Sequence, residues 1–198
     1  MRKLSFSVVI VLMSVGIVLC AVMAGCTNTP PAQPATGQKL STIEPAKMAL
    51  QPSDLPVNYT LVEEFERNAT DMREWSLGMG WKKGYGISFE TRGPDARGID
   101  QLISVYPVEN ITLIVPDTVS SFKNWTVEDG NVTIEDLPSP GIGDASSAMK
   151  VTISGEPVDT YIIAFVKYDV YEELYVNGTA SDYDVLKAVA GKAAAKIT

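Results

Sequence analysis

Few side chains in this sequence are suited to catalysis or to metal binding. The chain has 198 residues and no histidine, and its two cysteines are Cys20 and Cys26. The absence of histidine removes the usual general base, every histidine-based catalytic triad and the commonest transition-metal ligand. We therefore predict a non-catalytic protein with no catalytic residues, no metal site and no cofactor.

Carboxylates are the remaining groups that could catalyse a reaction. They occur in short clusters: Glu63, Glu64 and Glu66, then Glu128-Asp129, Glu135-Asp136 and Glu172-Glu173. Neighbours in a strand point to opposite faces of a sheet, so adjacent acids do not by themselves form a shared site. A glycosidase needs two carboxylates flanking one cleft, about 5 to 10 Å apart. An extracytoplasmic, carboxylate-dependent hydrolase acting on glycans is therefore an alternative function.

Six of the seven asparagines are followed at the second position by threonine. This pattern is the acceptor for N-glycosylation, which occurs on surface segments of secreted proteins. A preference of asparagine and threonine for turns and strand ends is the alternative explanation, but it does not account for so many matches. We predict glycosylation, at positions that reach water, of Asn58, Asn68, Asn110, Asn124, Asn131 and Asn177.

The segment 73–98 has a composition that suits ligand binding and contains no glycosylation acceptor. It holds six of the chain's 15 glycines, two of its three tryptophans, and five basic against three acidic residues. Aromatic and cationic side chains on a glycine-rich backbone suit recognition of a planar, anionic or sugar-like group. The alternative is a β-hairpin or long loop whose tryptophans cover the core. The predicted ligand-binding residues are Trp75, Trp81, Lys82, Lys83, Tyr85, Arg92 and Arg97.

The first 26 residues have the layout of a secretory signal. Arg2 and Lys3 are followed by an uncharged run over 6–22 and by small residues before Cys26. The last four residues, Met23-Ala24-Gly25-Cys26, resemble a bacterial or archaeal lipobox. The resemblance implies cleavage before Cys26, lipidation of its thiol, and a lipid anchor on the outer face of the cytoplasmic membrane. The alternative is a single uncleaved transmembrane helix, because 21 residues suffice to span a bilayer; both arrangements place the remainder outside.

The composition divides the chain into three parts. Residues 1–25 are the predicted signal peptide, 26–43 the lipidated cysteine with a proline- and threonine-rich tether, and 44–198 a single extracytoplasmic domain that begins at Glu44, the first acidic residue. The 16 basic residues include Arg2 and Lys3, so 14 remain against 24 acidic residues after cleavage. Such an acidic domain repels phosphate backbones, which excludes nucleic acid as a partner. A lipobox, acceptor sites and no disulfide within the domain together suggest an archaeal cell surface.

The residue pattern of the domain predicts an α+β fold. Alternating or β-rich runs predict strands over 57–65, 85–91, 102–108, 112–115, 149–153, 160–168 and 171–176, the last two as antiparallel neighbours. Short helices are predicted over 45–50 and, capped by Asp117, over 117–125. Apolar residues repeating at three and four predict a carboxyl-terminal helix capped by Ser181. The expected architecture is an antiparallel β-sheet covered on one face by helices.

The layout of the domain resembles small extracytoplasmic lipoproteins with a PsbP/Mog1-like fold. The resemblance rests on turn residues: Asp54-Leu55-Pro56 opens a strand, Gly80-Trp81 and Gly84-Tyr85 enter another, and Gly143-Asp144 precedes a third. It covers residues 45–198 and implies a binding or accessory role, with no shared catalytic set.

These observations predict a membrane-anchored, N-glycosylated surface lipoprotein that acts as a non-catalytic ligand-binding or accessory module. Its expected partners are the membrane, through the lipid or an anchor helix, and a cell-surface ligand or protein whose identity the sequence does not give. Besides the hydrolase, a structural envelope protein is an alternative.

Overall fold

The computed structural model describes residues 40–41, 43–93, 96–128 and 130–198. Its centre is a seven-stranded antiparallel sheet with strand order β1-β2-β3-β7-β6-β5-β4. The predictions for the signal peptide, Cys26 and the tether up to residue 39 lie outside the described residues. The strands are β1 Tyr59–Arg67, β2 Lys83–Thr91, β3 Gly98–Val105, β4 Val132–Leu137, β5 Ala145–Ile153, β6 Asp159–Lys167 and β7 Val170–Gly178.

The two innermost strands of the carboxyl-terminal half carry the apolar residues that the sheet buries on both sides. Every residue of β6 from Tyr161 to Val166 is buried, which explains why this strand is apolar without alternation. The predicted pairing of β6 with β7 is confirmed, with Ile163 opposite Leu174 and Phe165 opposite Glu172.

Strand β1 lies at one edge of the sheet and is exposed along most of its length. It pairs with β2 through a register shift between Leu61 and Glu63, and it carries Glu63, Glu64 and Glu66. A bulge and charged side chains hinder further strands from pairing with an open edge. These glutamates therefore have a structural role in addition to any role in binding.

Two helices cover one face of the sheet. Helix α1, Pro45–Met48, packs on β2 and β3, and the carboxyl-terminal helix, Ala180–Lys196, packs on β6 and β7. This terminal helix, α4 below, is capped by Thr179 and not by Ser181 as predicted, because the Thr179 backbone N–H donates to Asp182 Oδ2 at 2.7 Å. The buried residues of α4 are Leu186, Val189, Ala190, Ala193 and Ala194.

The opposite face is covered by a helix that the sequence analysis divided wrongly. Residues 112–115, predicted as a strand, and Asp117, predicted as a helix cap, both lie inside the 21-residue helix Val108–Glu128. Its buried residues Ile111, Ile114, Val115 and Thr118 repeat at three and four. Pro116, inside the helix, is exposed to solvent, where its missing N–H is least costly. This helix packs on β4, β5, β6 and β7.

A further short helix, α2, Glu74–Gly78, lies in the connection between β1 and β2. The long helix Val108–Glu128 is therefore α3 in chain order. The predicted α+β class, the antiparallel sheet and the carboxyl-terminal helix are confirmed. The structure adds a helical layer on the second face, which the sequence analysis did not anticipate because it assigned the apolar start of α3 to a strand. Within the described ranges, no helix has both the length and the apolar character needed to cross a membrane.

The chain that precedes the sheet is held against it at several points. The Ser41 backbone N–H donates to Asp169 Oδ1 at 2.7 Å, at the turn between β6 and β7. Further along, Lys196 Nζ lies 2.9 Å from Asp54 Oδ2. Ser41 and Ile43 thus already contact the domain, ahead of the composition change at Glu44.

A buried polar network lies on the face covered by α1 and α4. The Leu50 backbone N–H donates to Gln101 Oε1, and Gln101 Nε2 donates to Glu172 Oε2, both at 2.8 Å. The other Glu172 oxygen is buried and has no hydrogen-bond partner in the described part of the chain. Burial raises the pKa of Glu172 to about 8, against the opposing effects of the Gln101 hydrogen bond, Lys167 and Lys196. A carboxyl group in this position is therefore mostly protonated at neutral pH.

This network predicts that Glu172 makes the fold less stable in alkali. The folded pKa of about 8 exceeds the ordinary value of 4.5, so the stabilising contribution is complete below about pH 4.5 and is lost as the pH rises through about 8. Between about pH 5 and about pH 8, urea unfolding of the full chain should show a falling midpoint, and Glu172→Gln should reduce this fall, because glutamine needs no proton to stay neutral. An equal fall in both proteins would contradict the assignment.

Candidate functional site

The staggered helical layers leave one part of the sheet surface uncovered. On the side of α3, strands β1, β2 and β3 have no long helix above them in the described part of the chain. The strand registers place one set of side chains on this surface, because alternate residues point to the same face. We call it the open face, and it consists of Glu63, Phe65, Arg67, Trp81, Ser88, Glu90, Asp100, Leu102, Ser104, Glu173 and Tyr175.

Two glycines of β2 let side chains from β1 cross the open face. A Cβ atom on Gly86 would lie only 2.4 Å from Phe65 Cζ, and one on Gly84 would lie 3.3 Å from Arg67 Cδ and 3.2 Å from Trp81 Cζ2. A larger residue at Gly86 would force Phe65 away, and one at Gly84 would clash first with the Ile103 carbonyl oxygen, 2.6 Å from its Cβ atom. The spacing Gly84-x-Gly86 therefore brings Arg67 across β2 to the third strand.

Arg67 and Trp81 meet at Ser104, at one end of the open face. Arg67 Nη1 donates to Ser104 Oγ at 2.9 Å, and Trp81 Nε1 donates to the same oxygen at 3.2 Å. Ser104 is buried. Arg67 forms no ion pair with any described carboxylate, so most of the five donors of its guanidinium have no protein partner there.

Glu173 is held in the middle of the surface by two tyrosines. The Tyr171 and Tyr175 hydroxyls each donate to one of its carboxylate oxygens, and Thr118 Oγ1 of α3 lies 2.8 Å from the Tyr171 hydroxyl. Burial, followed by the nearby Glu173 charge, raises the pKa of both tyrosines well above their ordinary value. They therefore stay protonated and act as hydrogen-bond donors.

Asp100 lies at the other end of the open face. It is opposite Ser88 on β2 and Tyr175 on β7, and only 6% of it is exposed. Burial raises the pKa of Asp100 to about 6; the Ser88 hydrogen bond opposes the rise, while Glu90 and Glu63 add to it. Its Oδ2 atom is buried with no hydrogen-bond partner among the described residues. Buried polar atoms are normally paired, so this oxygen is a candidate ligand contact.

The structure brings only part of the predicted ligand-binding set to this surface. Trp81 lies at its end, while Trp75 is on α2 and is 36% exposed, and Lys82 is exposed between α2 and β2. Lys83 and Tyr85 point to the opposite side of the sheet, where they contact Glu44 and Glu64 at 2.7 and 2.8 Å.

The two predicted arginines lie at the far end of β2. Arg92 follows this strand directly, and Arg97 precedes β3 with its Nε atom 3.6 Å from Asp182. Trp81 precedes the nine residues of β2, so about 30 Å of strand separates it from Arg92. The structure therefore does not join Trp81 to Arg92 or Arg97 in one patch.

Sequence reasoning missed the residues that the sheet assembles here, namely Phe65, Arg67, Asp100 and Glu173. One available signal was the alternation on β1, which places Phe65 and Arg67 on the same face. A second was the Gly84-x-Gly86 spacing, which leaves the first part of that face of β2 without side chains. Asp100 and Glu173 needed the strand order, since they come from β3 and β7.

The predicted glycosylation acceptors fall into two groups. Asn58, Asn68, Asn124 and Asn131 are exposed. Asn110 and Asn177 are partly buried: Asn110 Nδ2 donates to the Met79 carbonyl at 3.0 Å, and Asn177 Oδ1 accepts from Thr160 at 2.7 Å. Glycosylation of all six stays a prediction.

No protein-family model matches this chain, and no curated protein sequence matches it. Among solved structures, the chain is similar to the extracellular domain of PknH from Mycobacterium tuberculosis, with a TM-score of 0.54 and 12% sequence identity. The similarity covers 81% of this chain and 97% of that one. At this identity it shows a shared fold alone. The resemblance to PsbP/Mog1-like lipoproteins stays a prediction.

The surroundings of the two tryptophans predict different effects of truncation. Trp81 packs against Tyr106, Ile111 and the other apolar residues between α3 and the sheet, so Trp81→Ala should lower the free energy of unfolding by about 2 kcal/mol, less than the 3–5 expected for a fully buried ring. Trp75→Ala is the matched control and should change it by about 0.5 kcal/mol or less. Urea denaturation measures both, and equal losses would contradict the placement of Trp81.

Proposed function

We propose that this protein is a membrane-anchored, extracytoplasmic binding module without catalytic activity, and that the open face is its ligand site. The observation that carries the proposal is the buried oxygen of Asp100, which has no hydrogen-bond partner among the described residues, on the same uncovered surface as Arg67, which forms no ion pair with a described carboxylate. Uncompensated polar groups are costly to a fold and are common where a ligand completes their bonding.

The composition of the open face supports recognition of a small ligand. Phe65 is 41% exposed and lies next to Leu102, between the acidic and the basic end. Binding sites typically combine such apolar surface with a few fixed polar groups. The shared fold with an extracellular domain supports a surface location.

The anchor and the glycans belong to the same proposal. Cys26 follows a signal-like segment, and the residues between it and Leu40 are rich in proline and threonine. Four acceptor asparagines are exposed, and the open face contains none of the six.

A hydrolase is the second candidate, because Asp100 and Glu173, two of the four carboxylates on the open face, lie on neighbouring strands. Glu173 lies opposite Leu102 and Asp100 lies opposite Tyr175, a diagonal arrangement with about 7–8 Å between the residues. That spacing lies within the range for inverting glycosidases. However, both Glu173 oxygens accept tyrosine hydroxyls, and Asp100 is almost entirely buried. Release of reducing sugar from a glycan, abolished by Asp100→Asn, would favour this alternative.

Binding at the open face is tested by truncating one exposed apolar residue there and one elsewhere. We expect titration with short peptides and oligosaccharides, followed by tryptophan fluorescence, to identify at least one ligand. Phe65→Ala should weaken its binding about tenfold, because it removes the apolar centre of the site. Leu113→Ala is the control, since Leu113 is 54% exposed on α3. Equal effects of both substitutions, or no binding at all, would contradict the proposal.

The covalent modifications are tested by mass spectrometry of protein purified from membranes. We expect an amino terminus at Cys26 that carries a lipid, and glycans on the exposed acceptors Asn58, Asn68, Asn124 and Asn131. Cys26→Ser should retain residues 1–25 without lipid, whereas the control Cys20→Ser should be processed normally. An intact Met1 in the wild-type protein would support the uncleaved helix instead.

A further inference from the structure

The basic end of the open face has two arginines without carboxylate partners. Arg67 is fixed by its bond to Ser104, and Arg73 lies at the start of α2. Neither forms an ion pair with a described residue, and α2 adjoins the basic end, since the Trp81 backbone N–H donates to the Ser76 carbonyl at 3.0 Å. Glu173 does not neutralise them directly, since its oxygens accept from Tyr171 and Tyr175. A guanidinium held in this way matches a ligand carboxylate, which it can bind through two hydrogen bonds.

The acidic end presents the opposite chemistry. Asp100 has one buried oxygen without a partner, and it is surrounded by the side chains of Ser88, Glu63 and Glu90. Glu63 and Glu90 are exposed and form no ion pair in the described part of the chain. A ligand ammonium group would neutralise this concentration of acid by contacting the exposed carboxylates of Glu63 and Glu90, with the buried Asp100 beneath them. An anionic group would be repelled from the same place.

The two ends are separated by a distance that the strand fixes. Asp100 and Ser104, which holds Arg67, are four residues apart on β3, or about 13–14 Å. An extended peptide of three or four residues spans about 10–14 Å. Leu102 and Phe65 lie between the two ends and offer apolar surface to its side chains.

From this arrangement, we propose that the open face binds a short, extended peptide with free termini. Its amino-terminal ammonium lies at Asp100, Glu63 and Glu90, and its carboxylate lies at Arg67. The inference rests on the proposed function, because it names the ligand class of the same site. Capture of peptide termini by fixed polar groups is a known mode of peptide recognition.

The test uses tri-alanine and tetra-alanine as probes, titrated against the full chain in mild detergent. Each peptide is compared with its amino-terminally acetylated form and its carboxyl-terminally amidated form. We expect the free peptides to bind and each blocked form to bind about tenfold more weakly, because each loses one charged contact. Di-alanine should bind more weakly than free tri-alanine and tetra-alanine, since it is too short to reach both ends of the open face.

Variants assign each terminus to its site. In Arg67→Gln, amidation should no longer weaken binding while acetylation still does; in Asp100→Asn, the reverse should hold. The controls Arg92→Gln and Glu156→Gln make the same charge changes at exposed positions outside the open face. In both controls, acetylation and amidation of the peptide should each still weaken binding. Arg67→Lys and Glu63→Gln are second variants in case either first variant does not fold. Amidation should weaken binding less in Arg67→Lys than in the wild type, and acetylation should weaken it less in Glu63→Gln.

Three results would overturn the inference. The first is that the free peptides do not bind at a concentration on the order of 10 mM. The second is that acetylated or amidated peptides bind as well as free ones. The third is that acetylation and amidation weaken binding in the open-face variants as much as in the wild type. If an oligosaccharide binds with dependence on Phe65 while the peptides do not, the peptide inference fails and the proposed binding function stands. If nothing binds with dependence on Phe65, both fail.

Discussion

The fold depends on burying its central strands on both sides. Every side chain of β6 from Tyr161 to Val166 is buried, and β7 contributes Tyr171 to one face and Leu174 to the other. Removing this apolar surface from water is the main favourable term in folding, so a helix is required on each face. Helix α4 serves one face and α3 the other, but they are staggered across seven strands. The open face exists because α3 covers β4 to β7 and ends there.

The same sheet gives adjacent acids different environments. Glu172 points into the core beneath α1 and α4, where burial raises its pKa to about 8. Its neighbour Glu173 points to the side of α3 and accepts hydrogen bonds from two tyrosines. The strand alternation that points Glu172 and Glu173 to opposite faces also places Glu173 on the same face as Asp100 of β3. The carboxylates that share a face are therefore distant in sequence.

The position of the amino-terminal segment relates the open face to the proposed anchor. Ser41 is held by Asp169 at the turn between β6 and β7. Val170 of that turn pairs with Val105, and Val105 pairs with Lys83, so Ser41 lies at the same end of the sheet as Arg67 and Trp81. The described chain therefore meets the sheet at the basic end of the open face, and the acidic end lies farther along the strands.

Local patterns in the sequence determined the α+β class, the pairing of β6 with β7 and the apolar face of the terminal helix, because these depend on residues close together in the chain. The β-branched Thr112, Ile114 and Val115 favoured a strand, and burial of Ile111, Ile114 and Val115 on one side of a helix overrode that preference. The sequence also excluded histidine chemistry outright. Only the tertiary structure decided the candidate site, since strand order and register bring Arg67, Asp100 and Glu173 together from three strands, and no local pattern encodes those long-range pairings.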